Sequence, residues 1–361
     1  MEQALSLARL ALGQVSPNPA VGATVINGGG VVGQGYTQPP GFHHAEIAAL
    51  EQAGERAQRA VMYVTLEPCC HYGRTPPCTR AIIEAGISEV HMAMLDPNPL
   101  VSGRGKQALE KEGIRVYVGE HKKTASEINE AYIKFITTGM PLVTAKFAMS
   151  LDGKIATRLG DSRWISGDEA RNYVHQMRYM ADAVMVGVNT VRADDPQLTV
   201  RCCGGRGGVA RKQPLRVVVD GKGQTPATAR LFREPGRTFL ALGRVASPEE
   251  KANFVRIGAE LIELPAVGEL VELPRLLKAL GEREITNVLV EGGGILLGSL
   301  FDAGLVDRVV AFVTPIIIGG REAKTAVGGL GVGSVGDSIR LERVRVEKFG
   351  DDVMVSGYVR R

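Results

Sequence analysis

Residues 65–86 read TLEPCCHYGRTPPCTRAIIEAG. Within that run, Pro68 to Cys78 packs three cysteines and one histidine into eleven positions. The apolar residues from Val61 to Leu66 lead in and read as a strand, while Thr79 to Ala85, stopped by Gly86, reads as a helix. Between them lies a loop that contains Gly73, Pro76 and Pro77 and so turns without being helical. Cys78 then stands where the next helix opens, a position that favours a thiolate. A strand that feeds a helix through a thiol-bearing loop belongs to an α/β arrangement.

The flanks continue the alternation. Val21 to Ile26 and Val31 to Tyr36 surround Gly28-Gly29-Gly30 and read as a hairpin; Glu46 to Ala53 reads as a helix. Downstream come a strand (Glu89 to Met94), a helix (Lys106 to Glu112), a strand (Ile114 to Val118) and a helix from about Thr124 to Ile136. Gly139-Met140-Pro141 is a natural boundary. Beyond it a second series begins, with strands at Leu142–Ala148, Ala183–Gly187, Leu215–Asp220, Thr238–Leu242, Asn287–Glu291 and Arg308–Phe312. Helices read between them at Asp168–Met180, Ser247–Ile257, Leu270–Leu280 and Ile295–Ala303, the pattern of buried parallel strands with crossover helices. Residues 202–213, CCGGRGGVARKQ, read as a basic surface loop.

Composition bounds the function. With 361 residues, 44% hydrophobic and 23% charged, the chain has material for two globular domains. Five cysteines are an odd number and make no disulfide framework, which suits a reducing compartment and a cytoplasmic location. Near the N-terminus, Leu5, Leu12 and the alanines at 4, 8 and 11 share one side of a helix, while Glu2 and Arg9 break the apolar run. A first amphipathic helix is expected there rather than an export signal. A net charge of +4 suits an anionic small molecule as well as a nucleic acid.

Upstream of the opening stretch stands His43-His44-Ala45-Glu46. His44 with Cys69 and Cys78 would give zinc three protein ligands and leave a fourth position for water, whose pKa the metal lowers toward neutrality. Glu46 does not ligate; two residues past the histidine, it can shuttle a proton from that water to a departing amine. The order matches the H-x-E…P-C-x-x-C signature of nucleobase deaminases, except that the thiols are nine positions apart instead of three. The loop from Cys70 to Pro77 must then bulge between the ligands. Cys70 is read as a bystander. His43 and His71 lack the glutamate two positions on, though either can touch a substrate.

Four runs together, SPNPAVGATVI (16–26), HHAE (43–46), the opening stretch and DPNPLVSGRG (96–105), resemble the deaminase half of the bifunctional riboflavin-biosynthesis deaminase/reductase family. The resemblance supplies the nine-residue thiol spacing. It implies a cytidine-deaminase-like three-layer α/β/α domain over 1–140, with zinc on His44, Cys69 and Cys78 and with Glu46 as the catalytic proton shuttle. It also implies that Asn18, Arg74, Asp96 and Asn98 hold the pyrimidine and its ribose phosphate. Arg74 makes independent sense, since a guanidinium pairs with phosphate. Ala20 and Ala23 depart from the residues the family often carries there.

In the second half, SLDGKIAT (150–157), DSRWISG (161–167), GVNTVRADDPQLTVR (187–201) and VEGGG (290–294) read as loops at strand ends. Glycines after Glu291 let backbone amides approach a phosphate at a helix N-terminus, but they are not the G-x-G-x-x-G fingerprint. Asp194-Asp195-Pro196 alone reads as a turn. As a set these runs are similar to the reductase half of the same family. They imply a dihydrofolate-reductase-like α/β domain over 141–361 that uses NADPH to reduce a ribosyl to a ribityl side chain. The implied NADPH contacts are Ala148, Met149, Trp164, Thr190, Asp194, Gly221, and Gly293, Gly294, Ile295, Leu296, Leu297, Gly298 and Ser299. The implied substrate contacts are Ser162, Arg178, Leu198, Arg201 and Glu291, the arginines being sensible clamps for a sugar phosphate. Lys146 and Asp152 border these motifs without an assigned role.

The whole reads as a two-step enzyme acting on a small pyrimidine ribosyl phosphate, expected as a homo-oligomer (dimer or tetramer) with no nucleic-acid or membrane partner. Two other readings compete. A deaminase acting on RNA or DNA calls for a basic face with exposed aromatics, whereas aromatics make up 5% and Trp164 is the sole tryptophan. A non-catalytic paralogue sits poorly with the intact Glu46.

Overall fold

A computed structural model describes residues 1–72, 76–201, 212–243, 246–267 and 270–360. Arg74 and residues 202–211 of the basic loop therefore lie outside the described residues. The chain divides into two compact units, Met1–Met140 and Pro141–Arg361.

The first unit runs α1 (Glu2–Ala11), β1 (Gly22–Asn27), β2 (Gly30–Tyr36), α2 (Ala45–Ala53), β3 (Val61–Val64), α3 (Cys78–Glu84), β4 (Glu89–Met92), α4 (Arg104–Lys111), β5 (Arg115–Val118), α5 (Lys122–Ile128) and α6 (Glu130–Thr138). Its sheet has the order β2-β1-β3-β4-β5, with β1 antiparallel to both neighbours and the remaining pairs parallel. Val25, Met62, Val64, Ile82, Val90, Met92 and Leu109 are fully buried at its centre. In α1 the buried stripe is Ala4, Leu5, Ala8 and Ala11. Leu12, expected on the same stripe, is instead the extended residue that ends the helix.

In this unit one helix differs from the sequence reading. The single helix expected over 124–136 is two helices, α5 and α6, broken at Asn129 (φ −104°, ψ 19°). The side chain explains the break. Asn129 Oδ1 accepts the Ala20 N–H at 2.8 Å and its Nδ2 donates to the Ala20 carbonyl at 3.0 Å. Asparagine competes well for backbone groups in this way and leaves helical geometry to do so.

The second unit runs β6 (Leu142–Ser150), α7 (Asp168–Met180), β7 (Ala183–Gly187), α8 (Val188–Asp194), β8 (Leu215–Asp220), β9 (Thr238–Gly243), α9 (Pro248–Arg256), β10 (Glu260–Leu264), β11 (Ala266–Val267), β12 (Leu270–Val271), α10 (Leu273–Gly281), β13 (Asn287–Val290), α11 (Gly294–Asp302), β14 (Arg308–Thr314), β15 (Leu341–Phe349) and β16 (Asp352–Val359). The nine-stranded sheet has the order β10-β9-β8-β7-β13-β6-β14-β16-β15. Every pairing from β10 to β14 is parallel, and the C-terminal hairpin adds the antiparallel pairs. Val184, Val186, Val218, Leu240 and Leu242 are fully buried on the parallel strands, as near-continuous apolar runs require. A capping box between Ser247 and Glu250 starts α9. Helix α10 begins at Leu273, not at Leu270, because Leu270 and Val271 pair with Ala266 and Val267.

Candidate active sites

The first site is set by how closely α2 lies on β2. A Cβ on Gly33 would strike the Ala49 carbonyl and Ala53; one on Gly35 would strike the Ala45 carbonyl and Ala48. Ala45, Ala49 and Ala53 are buried in that contact. It fixes the start of α2, where His44 precedes the helix in extended conformation and Glu46 sits in the first turn, 4% exposed. From the other side Cys78, fully buried, opens α3, and its backbone N–H donates to Cys69 Sγ at 3.3 Å.

His44 Nδ1 lies 3.7 Å from Cys69 Sγ and 3.3 Å from Cys78 Sγ, and the three donor atoms fall within 4.8 Å of one another. Tetrahedral bonds of about 2.0 Å to nitrogen and about 2.3 Å to sulfur need donor separations of this size, so the set suits zinc. The electrostatics agree. The Cys78 thiol donates a hydrogen bond that, against burial, holds Cys69 down to about 4; the same bond, with burial, pushes Cys78 well above an ordinary thiol. His44 is raised by its hydrogen bond with Cys69. Glu46 is pushed up to about 7 by burial and then by the negative Cys69. His43 and Cys70 lie outside the cluster: His43 Nδ1 faces Glu51 at 3.1 Å on the surface, and Cys70 is raised by burial. His71 Nδ1 is buried with no hydrogen-bond partner.

The remaining residues expected in this site sit on two loops. Asn18 follows a turn in which its N–H donates to the Val15 carbonyl at 2.8 Å. Asp96, 6% exposed and pushed up to about 6 by burial, accepts the Asn98 N–H at 2.9 Å and both oxygens accept from the Tyr132 hydroxyl. Sequence reasoning missed Glu67. It is buried directly upstream of the thiol loop and accepts the N–H groups of Asp96 (3.1 Å), Gly103 (2.9 Å) and Lys106 (2.9 Å), which ties this loop to the start of α4.

In the second unit the strand ends around β7, β8 and β13 border a cavity of about 970 Å³. Of the expected cofactor contacts, Thr190, Asp194, Gly221, Gly293, Gly294, Ile295, Leu296 and Ser299 line it, as does Ser162. Leu297 and Gly298 do not: Leu297 points into the core, and Gly298 lies against the backbone of Gly328. Gly294 and Gly298 leave room on α11 for the 325–329 segment, with the Gly328 N–H donating to the Gly294 carbonyl at 2.9 Å. Ala148 and Met149 lie on β6, beside β14. Trp164 is largely exposed, under the Arg171 guanidinium at 4.6 Å. The lining also includes Lys154, Asn189, Arg192 and Lys222, which stand in or beside motifs already quoted, and Asp220. Asp220 Oδ2 accepts from Thr225, and its Oδ1 is buried without a hydrogen-bond partner.

A second cluster carries the expected substrate contacts. Arg178 makes a two-pronged pair with Glu291 at 2.6 and 2.7 Å and donates to the Thr199 carbonyl at 3.0 Å. Burial would raise Glu291, but the charge and hydrogen bonds of Arg178, with Lys146 nearby, bring it below the ordinary carboxylate value. Lys146 itself is lowered by burial. His175 Nδ1 lies 3.2 Å from the Thr199 carbonyl and its Nε2 3.3 Å from an Arg201 nitrogen. The Arg201 backbone N–H also points at Nδ1, at 3.4 Å, so both ring nitrogens are engaged by the 199–201 segment. Leu198 is buried with φ at 54°. Asp152 accepts from Ser150 and from the N–H groups of Ile318 and Gly319, and so ties the end of β6 to the segment after β14.

Two family profiles match the chain. The cytidine and deoxycytidylate deaminase zinc-binding region covers residues 1–94, and the RibD C-terminal domain covers residues 141–355. The riboflavin biosynthesis protein RibD of Aquifex aeolicus is 42% identical over 356 residues, spanning 98% of this chain and 96% of that protein. The chain belongs to the RibD family. The Escherichia coli RibD is 36% identical over 98% of this chain and 96% of its own length. Among solved structures, Acinetobacter baumannii RibD superposes with a TM-score of 0.90 at 36% identity, covering 100% of this chain and 98% of that one. A deaminase/reductase from Thermotoga maritima gives 0.86 at 35% identity, covering 100% and 97%. Membership makes the chain a bifunctional enzyme of riboflavin biosynthesis, a zinc-dependent deaminase and an NADPH-dependent reductase in one polypeptide that acts on small molecules. No helix among the described residues is long and apolar enough to cross a membrane.

Proposed function

We propose that the first site deaminates a diaminopyrimidinone ribosyl phosphate and that the second reduces the ribosyl group of the product to ribityl. One observation carries this reading: three donor atoms within 4.8 Å of one another beside a glutamate that is 4% exposed. His44, Cys69 and Cys78 hold the zinc, which when bound supplies the Lewis acidity that makes water a nucleophile near neutral pH. Glu46, kept dry in the first turn of α2, carries a proton from water to the leaving amine. Asn18, Asp96 and Asn98 hold the pyrimidine, and Arg74 pairs with the phosphate. In the second site NADPH would supply the hydride when bound, and the cavity lining with Thr190, Asp194, Gly221 and the start of α11 would hold it. Arg178 is already committed to Glu291 and Thr199, so it walls the substrate's seat, while Arg201 grips the phosphate; Ser162 and Leu198 complete that seat. Supplying this ribosyl phosphate with and without NADPH, and following products by mass, tests the reading. Deamination alone without NADPH and a further gain of two hydrogens with it are expected; reduction with no deaminated species refutes the order.

The chain is further proposed to work in the cytoplasm as a homodimer. Strand β15 forms one edge of the larger sheet with Val344 and Val346 exposed, and the segment before it exposes Leu330 and Val335. Apolar surface on a sheet edge is a common pairing face. Light scattering that gives a monomer mass at micromolar concentration would refute the dimer.

A further inference from the structure

The region shared with other zinc deaminases ends at residue 94. Asp96, Asn98 and helices α4 to α6 lie beyond it. Two buried polar side chains in that remainder reach back to the loops on which the pyrimidine contacts sit. Asn129, 2% exposed, grips both the N–H and the carbonyl of Ala20, two residues past Asn18. Tyr132, one helical turn further on, donates to the Asp96 oxygens at 3.0 and 3.1 Å. Asp96 Oδ1 also accepts the Asn98 N–H, so the orientation of that carboxylate fixes the turn that presents Asn98.

The partners are far apart in the chain. Asn129 is 109 positions from Ala20, and Tyr132 is 36 from Asp96. A single short stretch at the start of α6 therefore bridges two loops that leave the same end of the sheet, one before β1 and one after β4. A phenol has one proton, which it shares between the two carboxylate oxygens and thereby holds the carboxylate plane. Inside a dry site such a bond is directional and its loss leaves an acceptor short of a donor.

We infer that Tyr132 is a positioning residue for the deaminase reaction. It fixes the Asp96 carboxylate and, together with Asn129, holds the 16–20 and 96–98 loops in register around the pyrimidine. The inference rests on Asp96 and Asn18 contacting substrate as proposed above. A merely structural pair of side chains would lower stability and depress both activities together; a positioning pair acts on one KM.

The test uses the zinc-loaded, full-length chain carrying Tyr132→Phe, Asp96→Ala or both. Ammonia release is measured against substrate concentration, and NADPH oxidation is measured on the deaminated intermediate. Tyr132→Phe is expected to raise the deaminase KM about tenfold with kcat kept within about threefold, the scale of one lost buried hydrogen bond. Reductase constants stay at parental values. Asp96→Ala raises KM at least as much, and adding Tyr132→Phe to it changes KM by less than about twofold, the non-additivity of residues that act as one unit. A parental KM in Tyr132→Phe while Asp96→Ala raises it overturns the inference and leaves the site reading intact. A parental KM in Asp96→Ala overturns the site reading first. Multiplying effects in the double variant, or a joint loss of both activities, also overturn a positioning role. Asn129→Ser is expected to raise the same KM several-fold with kcat kept; an unchanged KM overturns the part assigned to Asn129.

Discussion

Replacing Glu291 by glutamine tests the second site through stability as well as activity. The Arg178 and Glu291 side chains are 13% and 8% exposed, and the pair is two-pronged at 2.6 and 2.7 Å. Such a pair puts its charge centres about 4 Å apart, an attraction of about 4 kcal/mol at an effective dielectric near 20. Desolvation has already offset much of that in the folded chain. Removing only the carboxylate recovers none of the desolvation of Arg178 and leaves it beside Lys146, a like charge in the same buried cluster. Breaking one side of a buried pair costs about 3–5 kcal/mol. A unit of this size loses about 2–4 °C in Tm per kcal/mol, so its transition should fall by roughly 6–20 °C. Differential scanning calorimetry of the full-length chain reads this. Arg178→Met with Glu291→Gln should regain part of the loss, because no charge is then left unpaired by its partner. The pH sign follows from the lowered Glu291 value: its contribution is complete above the ordinary carboxyl value of 4.5 and is lost as pH falls through the folded value. A folded Glu291→Gln variant whose transition moves by less than about 2 °C would refute the reasoning.

Three further outcomes are expected. Glu46→Gln should slow ammonia release by about 10²–10⁴-fold, the scale of general acid–base catalysis, with zinc and NADPH oxidation retained; loss of NADPH oxidation in a folded variant would contradict two separate sites. Metal analysis should find one zinc per chain, and Cys70→Ser should keep both it and deamination, whereas loss of either means that the thiol ligands are wrongly chosen. The third concerns acid stability. His175 is lowered to about 4 by burial and by the charges of Arg178 and Arg201, against an ordinary value of 6.5. Between those values the unfolded chain binds the extra proton, so stability falls as pH drops through that window. His175→Gln should flatten this part of the Tm–pH curve, and an unchanged slope would count against the assignment.

Most of the regular elements were legible because each carries its own local signal. Apolar runs of strand length mark the parallel strands, Ser247 with Glu250 announces α9, and the glycine triplet at 28–30 marks the hairpin. Strand β15 was missed because LERVRVEKF is exposed along nearly its whole length and so lacks a buried face to show in the pattern. The broken helix at Asn129 was missed for another reason: the group that pulls the side chain out of the helix is 109 positions away. Glu67 fails in the same manner, since the three amides that satisfy it follow from the path of the chain after β4. In the candidate sites, the histidine, glutamate and thiols could be named from their order together with the family resemblance that supplies the nine-residue thiol spacing, but which glycines face the cavity could not be named. Gly294 and Gly298 look alike in the sequence; both pack against the 325–329 segment, and of the two Gly294 also lines the cavity.

The two glycines of β2 have a consequence for anyone who wishes to retarget the deaminase. Gly33 and Gly35 touch no ligand atom, yet they act as the shim that sets the height of α2 above the sheet, and α2 carries both His44 and Glu46 at its first turn. Adding even one methyl group there would lift the acid and the imidazole together, away from thiols carried by the loop after β3 and by the start of α3. A screen for deaminase-dead variants should therefore score these positions beside the ligands themselves. Libraries meant to change the substrate pocket belong on the side chains of the 16–20 and 96–98 loops, with the buried residues that hold their backbones, Glu67, Asn129 and Tyr132, left in place, and not on the strand beneath the helix.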